Sequence, residues 1–397
     1  MFPLRHLLLL TALLFGMPRE AAAWPDWLRL PGFGRPAAER SPQRLQVGDF
    51  TGGTGRSARV GLLKELSSVP DVQVSEEAAA FTVTGHSVGG RVTARVADAL
   101  GEPVFERSYA APGLEENLRL LADDLILAAT GKPGLATSRI AFVSDRSGSR
   151  QIYLCDPQGR DIQQLTRHPH GAVCPSLSPD GSAVAFTSYR QGFPVVMLLD
   201  LSQGWERVVT DTPGINAGAA FAPDGHRLAL VMSFLGNPEI FVTDLGTNTA
   251  ACVSETLGVP ASPSWHPSGR LLVFSDDRGR GPRLYLAELP EAEGEVRLTP
   301  WSTRYGFCTD PEFSPDGRQM AFTARVGGES AIVVKNFPSG RARVIQRGGA
   351  RHPSWSPNGR YLCYTQHGVL YIHDLLRRER RIVLANHGTI TEPRWMR

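Results

Sequence analysis

The chain has 397 residues, of which 42% are hydrophobic and 20% charged, with a formal net charge of +3. That length exceeds one small core and sets an expectation of at least two domains. The composition excludes a disordered or collagen-like chain, and the near-neutral balance excludes a domain-scale basic field, so no nucleic-acid partner is expected.

In chain order, Arg5 and His6 precede the apolar run Leu7 to Met17, which is too short to span a bilayer comfortably, and Ala21-Ala22-Ala23 follows. This reads as a cleaved signal peptide over 1–23, with a mature chain starting near Trp24 in an extracytoplasmic space. No Cys follows the cleavage site, so no lipid anchor is expected, and no later apolar run is long enough for a transmembrane segment. Residues 24–43, rich in Pro, Gly and Arg, read as an extended arm. Residues 44–134 read as a small α/β domain. Its strands are Leu45–Phe50, Val72–Val74, Phe81–His86, Arg91–Val96 and Val104–Tyr109. A helix over Ser57–Ser67 would carry Val60, Leu62, Leu63 and Leu66 on one face. A second over Leu114–Ala129 would carry Leu118, Leu121, Leu125 and Ile126. The order β-α-β-β-β-β-α predicts a mainly antiparallel sheet.

From 135 to 397 the sequence repeats. Apolar strands begin at Ile140, Val184, Leu228, Leu272, Met320 and Leu362, spacings of 44, 44, 44, 48 and 42 residues. Each unit continues with a second apolar strand, a short third one, and a segment such as Pro263-Ser264-Trp265 or Pro353-Ser354-Trp355. This period with four strands per unit predicts a mainly β fold, a six-bladed β-propeller. Turns of the type Ser178-Pro179-Asp180-Gly181 follow five of those segments. Pro fixes φ, Asp or Asn accepts local hydrogen bonds and Gly takes positive φ, so the motif is structural. Pro393-Arg394-Trp395 has no such turn after it. The carboxyl end is therefore expected to complete the blade begun by Ile140, closing the ring and removing free sheet edges.

With these pieces placed, the chain resembles the TolB family, the soluble periplasmic propeller of the Tol–Pal cell-envelope system. The resemblance runs from about Leu45 to Trp395. It is carried by the junction Leu120-Leu121-Ala122-Asp123-Asp124, Thr130-Gly131-Lys132-Pro133-Gly134 and Ser138-Arg139-Ile140-Ala141-Phe142, together with the serial Ser-Pro-Asp-Gly copies. It implies a monomeric periplasmic scaffold without enzymatic activity, acting in envelope integrity and division by binding a Pal-like peptidoglycan-associated lipoprotein at the propeller mouth. It also implies contact with a TolA-like inner-membrane protein through an apolar N-terminal segment, which the arm at 24–43 does not display.

The loops leading into the innermost strands would crowd that mouth. They hold His168, His170, Asn216, Trp301, Arg304, Tyr305, Asp310, Arg351, His352, Thr391 and Glu392 as candidate partner-binding residues. Loops on a rigid scaffold carry binding, and Trp, Tyr and Arg serve as anchors. Two other propeller classes stay open: a metal-dependent, lactonase-like hydrolase using Asn216, Asp310 and Glu392 as ligands, and a non-catalytic carbohydrate or sensor propeller. No cofactor and no metal site are expected, although a cation near Asp310 stays open. His168-Pro169-His170 makes a poor chelate. Gly85-His86-Ser87-Val88-Gly89 matches a nucleophile elbow, but an alternating strand follows it where a helix is required. Gly52-Gly53-Thr54-Gly55 lacks the Lys-Ser/Thr ending of a phosphate loop. Five cysteines without a CxxC pair are expected to be buried free thiols. The run Arg377-Arg378-Glu379-Arg380-Arg381 reads as a solvated hairpin turn.

Overall fold

The computed structural model describes residues 42–396 apart from 68, 77, 78, 292, 293 and 302. The expected signal and nearly all of the arm lie outside the described residues. The first part of the chain forms β1 (Gln43–Thr51), α1 (Gly55–Ser67), β2 (Val72–Val74), β3 (Phe81–Val88), β4 (Arg91–Asp98), β5 (Pro103–Tyr109) and α2 (Leu114–Thr130). The sheet order is β2-β1-β3-β4-β5. β1 runs parallel to both β2 and β3, whereas β3, β4 and β5 are antiparallel. The expected mainly antiparallel sheet is thus corrected to an evenly mixed one. The reason is the crossover: α1 returns the chain so that β2 repeats the direction of β1. Beyond β2, Ser75 and Ala80 N–H donate to the Leu45 and Arg44 carbonyls.

Both helices cover one sheet face. Val92, Ala94 and Val96 alternate inward on β4, and Leu62, Leu66, Leu118, Leu121 and Leu125 pack over them. Val60 departs from expectation. It is 59% exposed, because the buried stripe of α1 runs through Ala58, Leu62 and Leu66, and a residue two positions from both Ala58 and Leu62 points away. α2 ends where Gly131 takes φ +71° and donates its N–H to the Leu127 carbonyl, a left-handed cap that favours glycine.

Six four-stranded sheets follow. Blade one comprises Ile140–Ser144, Gln151–Cys155 and Gln163–Gln164, with Ile390–Trp395 as its innermost strand. The innermost strands of blades two to six are Ala172–Leu177, Asn216–Phe221, Val259–Trp265, Cys308–Phe313 and Ala350–Trp355. Each touches the next, and Ile390–Trp395 touches both Ala350–Trp355 and Ala172–Leu177, so the ring is closed. Ile390 pairs with Ser144 and Trp395 with Ile140, antiparallel. The carboxyl-terminal strand therefore latches the first blade, as the repeat arithmetic predicts.

The cores lie between blades, as in the cluster of Phe142, Tyr153, Cys363, Leu370 and Ile372 that joins blades six and one. The recurrent tryptophans act as clasps. Trp265 Nε1 donates to the Ala220 carbonyl and Trp355 Nε1 to the Glu312 carbonyl, each one blade back, at 3.1 Å. Trp395 Nε1 donates to Ser138 Oγ at 3.0 Å. The Ser-Pro-Asp-Gly turns close as the residue types dictate: Ser178 Oγ donates to Asp180 Oδ1 at 2.6 Å and accepts from Ala183 N–H at 2.9 Å.

These turns, with those between the second and third strands of each repeat unit, form the propeller face that carries the α/β domain. Arg360, just after Asn358-Gly359, pairs with Asp71 and with Asp374 (2.7 Å). Arg119 of α2, 6% exposed, pairs with Asp161 at 2.9 Å and lies 3.6 Å from Asp156. Arg160 bridges Asp156 and Glu65, and burial pushes the Glu65 carboxyl up. Asp123 accepts the Ala136 and Thr137 N–H groups at 2.7 and 2.9 Å, tying α2 to the linker before Ile140. No helix among the described residues is long and apolar enough to cross a membrane.

Candidate functional site: the propeller mouth

The opposite face gathers the loops entering the innermost strands and the turns between the first and second strands of each unit. What positions side chains there is one backbone irregularity repeated six times. Each innermost strand pairs with its neighbour through a register shift after its first residues. At that bulge sit Cys174, Gly218, Ser262, Asp310, His352 and Glu392, all at φ between +51° and +66°. Five are not glycine, and a left-handed L-residue costs about 1–2 kcal/mol. A bulge turns the strand and re-aims one side chain. Here one such residue stands on the innermost strand of every blade.

The ring is polar and linked between neighbours. Cys174 N–H donates to Glu392 Oε2 at 2.6 Å. Ser262 Oγ reaches Asp310 Oδ1 at 3.5 Å, Thr309 Oγ1 donates to Asp310 Oδ2 at 3.0 Å, and His352 Nε2 lies 4.0 Å from the same carboxylate. Gly218 leaves one position without a side chain. Burial, and then the Glu392 charge, push the Cys174 thiol far above its ordinary value, so it is no thiolate nucleophile. A second tier, two residues further along, stitches the blades together. Ser176 Oγ accepts Phe221 N–H at 3.0 Å, Ser354 Oγ accepts Trp395 N–H at 3.0 Å, and Glu312 accepts Trp355 N–H at 2.9 Å while facing Arg394 at 3.3 Å.

The residues picked from sequence separate into two groups. His170, Arg304 and Arg351 are exposed, and Asp310, His352, Thr391 and Glu392 are half-buried at the channel opening. His168, Asn216, Trp301 and Tyr305 are buried scaffold. His168 is held between Ser188 (2.6 Å) and Glu206 (3.2 Å). Asn216 accepts from Thr210 and Thr212 and donates to the Thr212 carbonyl. Trp301 donates to the Pro338 carbonyl at 2.9 Å under the Lys335 ammonium. Sequence reasoning missed Cys174, Gly218 and Ser262. Their signal was position: like Asp310, His352 and Glu392, Cys174 and Ser262 directly precede the repeat proline. It also missed an apolar rim on blades two to four, where Phe193, Ile215, Phe234, Leu235, Leu257 and Val259 are exposed.

Among the described residues no three His, Cys, Asp or Glu side chains come together in a group suited to a metal ion. Ser87 of the elbow-like motif is fully buried and hydrogen-bonded to Thr54 Oγ1 at 2.7 Å. Gly89-Gly90 forms the tight β3–β4 turn at φ +59° and +86°, as a two-residue hairpin requires. All five cysteines are free, with Cys155, Cys308 and Cys363 buried and Cys174 and Cys252 half-buried.

Fold and mouth together define a closed six-bladed propeller with a small α/β domain on one face and a polar channel opening on the other. The model of the TolB beta propeller domain matches residues 127–397, and the chain belongs to the TolB family. It is 36% identical over 110 residues to a TolB homologue of Chlorobaculum tepidum, covering 24% of this chain and 25% of that one. It is 32% identical over 151 residues to the Tol-Pal system protein TolB of Geobacter sulfurreducens, covering 37% and 31%. The matched stretches thus span a quarter to a third of those relatives. Among solved structures, TolB from Acinetobacter baumannii superposes with a TM-score of 0.73 at 22% identity, over 90% of this chain and 97% of that one, which is a likeness of fold.

Proposed function

We propose that this chain is a non-catalytic, periplasmic protein-binding scaffold of the Tol–Pal type, which takes a Pal-like lipoprotein at the propeller mouth and thereby supports envelope integrity and outer-membrane invagination at division. The observation that carries the reading is the asymmetry of the propeller. One face is covered by the α/β domain, while the other offers exposed Arg351, a half-buried polar ring and a rim of Phe193, Phe234, Leu235 and Leu257. An apolar rim beside convergent polar groups is the make-up of a protein-binding patch. A TolA-like partner would have to engage residues ahead of β1. The reading places the chain outside the cytoplasm, as its expected signal peptide requires.

Binding of the soluble domain of a Pal-like lipoprotein, measured by calorimetry, tests this. Arg351→Ala and Leu235→Asp should each weaken it by about tenfold or more, since interface anchors contribute over 1 kcal/mol. Unchanged affinity in both variants would remove the mouth as the partner surface.

A further inference from the structure

A cleft of about 370 Å³ opens at the outer part of blade one and shares no residue with the polar ring of the mouth. Its walls are Arg146, Ser147, Tyr153, Ile162, Gln164 and His387. Arg146 and Ser147 lie in the turn after Ile140–Ser144, Tyr153 on Gln151–Cys155, and Gln164, directly opposite Tyr153, on the outermost strand. His387 belongs to the loop that leads into the latch strand Ile390–Trp395. That loop is tied down: the Ser144 hydroxyl donates to the His387 carbonyl, and Thr389 N–H donates to Asp145 Oδ1 at 2.7 Å. The His387 ring stands edge-on to Phe142 and Tyr153, with centroids 5.8 and 5.2 Å apart. Its Nδ1 accepts from Arg146 Nη1 at 2.6 Å. Burial, and then the Arg146 charge, hold this imidazole below its ordinary value, so it stays neutral and accepts. The guanidinium is thus oriented by a partner without charge, and its other N–H groups are left for a ligand. Among the described residues no carboxylate lies within ion-pair distance of Arg146, and the adjacent acid, Asp145, is committed to Thr389.

We propose that this cleft binds a carboxylate carried on an apolar stem, with Arg146 and the Tyr153 hydroxyl as its donors. A buried Tyr hydroxyl ordinarily finds a partner. Tyr153 is 5% exposed, and among the described residues its hydroxyl makes no hydrogen bond, yet that oxygen is not sealed from solvent. Since the residue lines the cleft, the cleft is where the hydroxyl can donate. The His387 Nε2, in contrast, is closed to solvent and takes no part. Ile162, 41% exposed, and the Tyr153 ring supply an apolar wall for the stem. Gln164 commits its Nε2 to the Thr166 carbonyl at 2.9 Å, which leaves its Oε1 as an acceptor. One guanidinium balances one carboxylate, and its planar fork matches the two oxygens. A phosphate dianion would keep a charge unmatched, and a neutral ligand would leave the guanidinium unpaired.

Two sources carry this chemistry: a free small acid and the last residue of a peptide. The full chain, isotope-labelled at its tyrosine rings, should be titrated with isocaproate (the leucine stem without an amide), N-acetyl-leucine and uncharged N-acetyl-leucinamide at constant ionic strength. NMR follows the Tyr153 ring, whose signal is identified by its loss in Tyr153→Phe. Saturable shifts with both acids and none with the amide are expected. Arg146→Gln should weaken binding by about tenfold or more, the loss of a charge-assisted hydrogen bond. Its melt should stay that of the parent, because the side chain is exposed. Tyr153→Phe keeps the ring packing and should weaken binding severalfold, read by calorimetry. Tighter binding of N-acetyl-leucine than of isocaproate assigns a peptide end, whose amide N–H Gln164 Oε1 would accept; equal or weaker binding assigns a free acid. No saturable Tyr153 response to either acid, an equal response to the amide, or equal affinity in Arg146→Gln would overturn the proposal.

Discussion

The two faces of the propeller are built from the same six repeats and dressed with different side chains. On the domain face, charges are paired, with at least one buried member in each pair: Arg360 with Asp71 and Asp374, Arg119 with Asp161 and Asp156, Arg160 with Glu65. On the mouth face, Arg351 is exposed, and Asp310 and Glu392 are held by neutral donors at bulges with strained backbone. Strain of this kind persists only where the surroundings over-determine it, and it clusters where proteins bind or react. The difference teaches that one set of repeats places paired charges against the α/β domain on one face and leaves exposed Arg351 on the other, which is why the partner is proposed there.

The largest expected effect lies in the closure that both faces share. Deleting residues 392–397 removes Trp395 and all but the first two residues of the latch strand Ile390–Trp395. Loss of a buried Trp alone costs about 3–5 kcal/mol, so melting should fall by about 10 °C or more. A melt within a degree of the parent would refute the latch. Next, Arg360→Ala strips the partner from Asp374 and Asp71 and should cost about 3–5 kcal/mol in chemical denaturation. If it costs no more than a surface change, the domain face is not where charge pairing supports the fold.

A pH effect comes third. His266, in the turn of blade four, is held by burial at a pKa of about 4, against an ordinary 6.5. Above pH 6.5 both folded and unfolded states carry it neutral and its contribution is complete. As pH falls toward 4 the unfolded state takes the proton first, so stability declines by about 3 kcal/mol over that window. His266→Ser, which restores the residue found in three other turns, should flatten that slope. An unchanged slope would mean that His266 is not the group responsible. The smallest effect is expected on the mouth: Arg351→Ala should shift stability by under about 0.5 kcal/mol while weakening partner binding, the inverse of Arg360→Ala.

The blade pattern was legible because second strands such as Val195–Asp200 are buried on both faces and read as unbroken apolar runs. The latch followed from counting turns. The parallel pairing of β1 was not legible, since a three-residue strand such as Val72–Val74 does not announce its neighbour or direction. The mouth was half legible. Loop position found Arg351 and Glu392, but residue type misled for Trp301, Asn216 and His168, whose hydrogen bonds point inward. Positive φ at Cys174 or Ser262 carries no compositional mark, because residues before proline usually sit in the extended region.

Hydrogen exchange on the chain with and without a Pal-like lipoprotein tests the central claim most directly. New protection should fall on the bulged strand starts, residues 172–174, 216–218, 260–262, 308–310, 350–352 and 390–392, and on the rim loops around Phe234 and Leu257. Protection confined to β1–β5 and the two helices, or none anywhere, would contradict a partner-binding mouth.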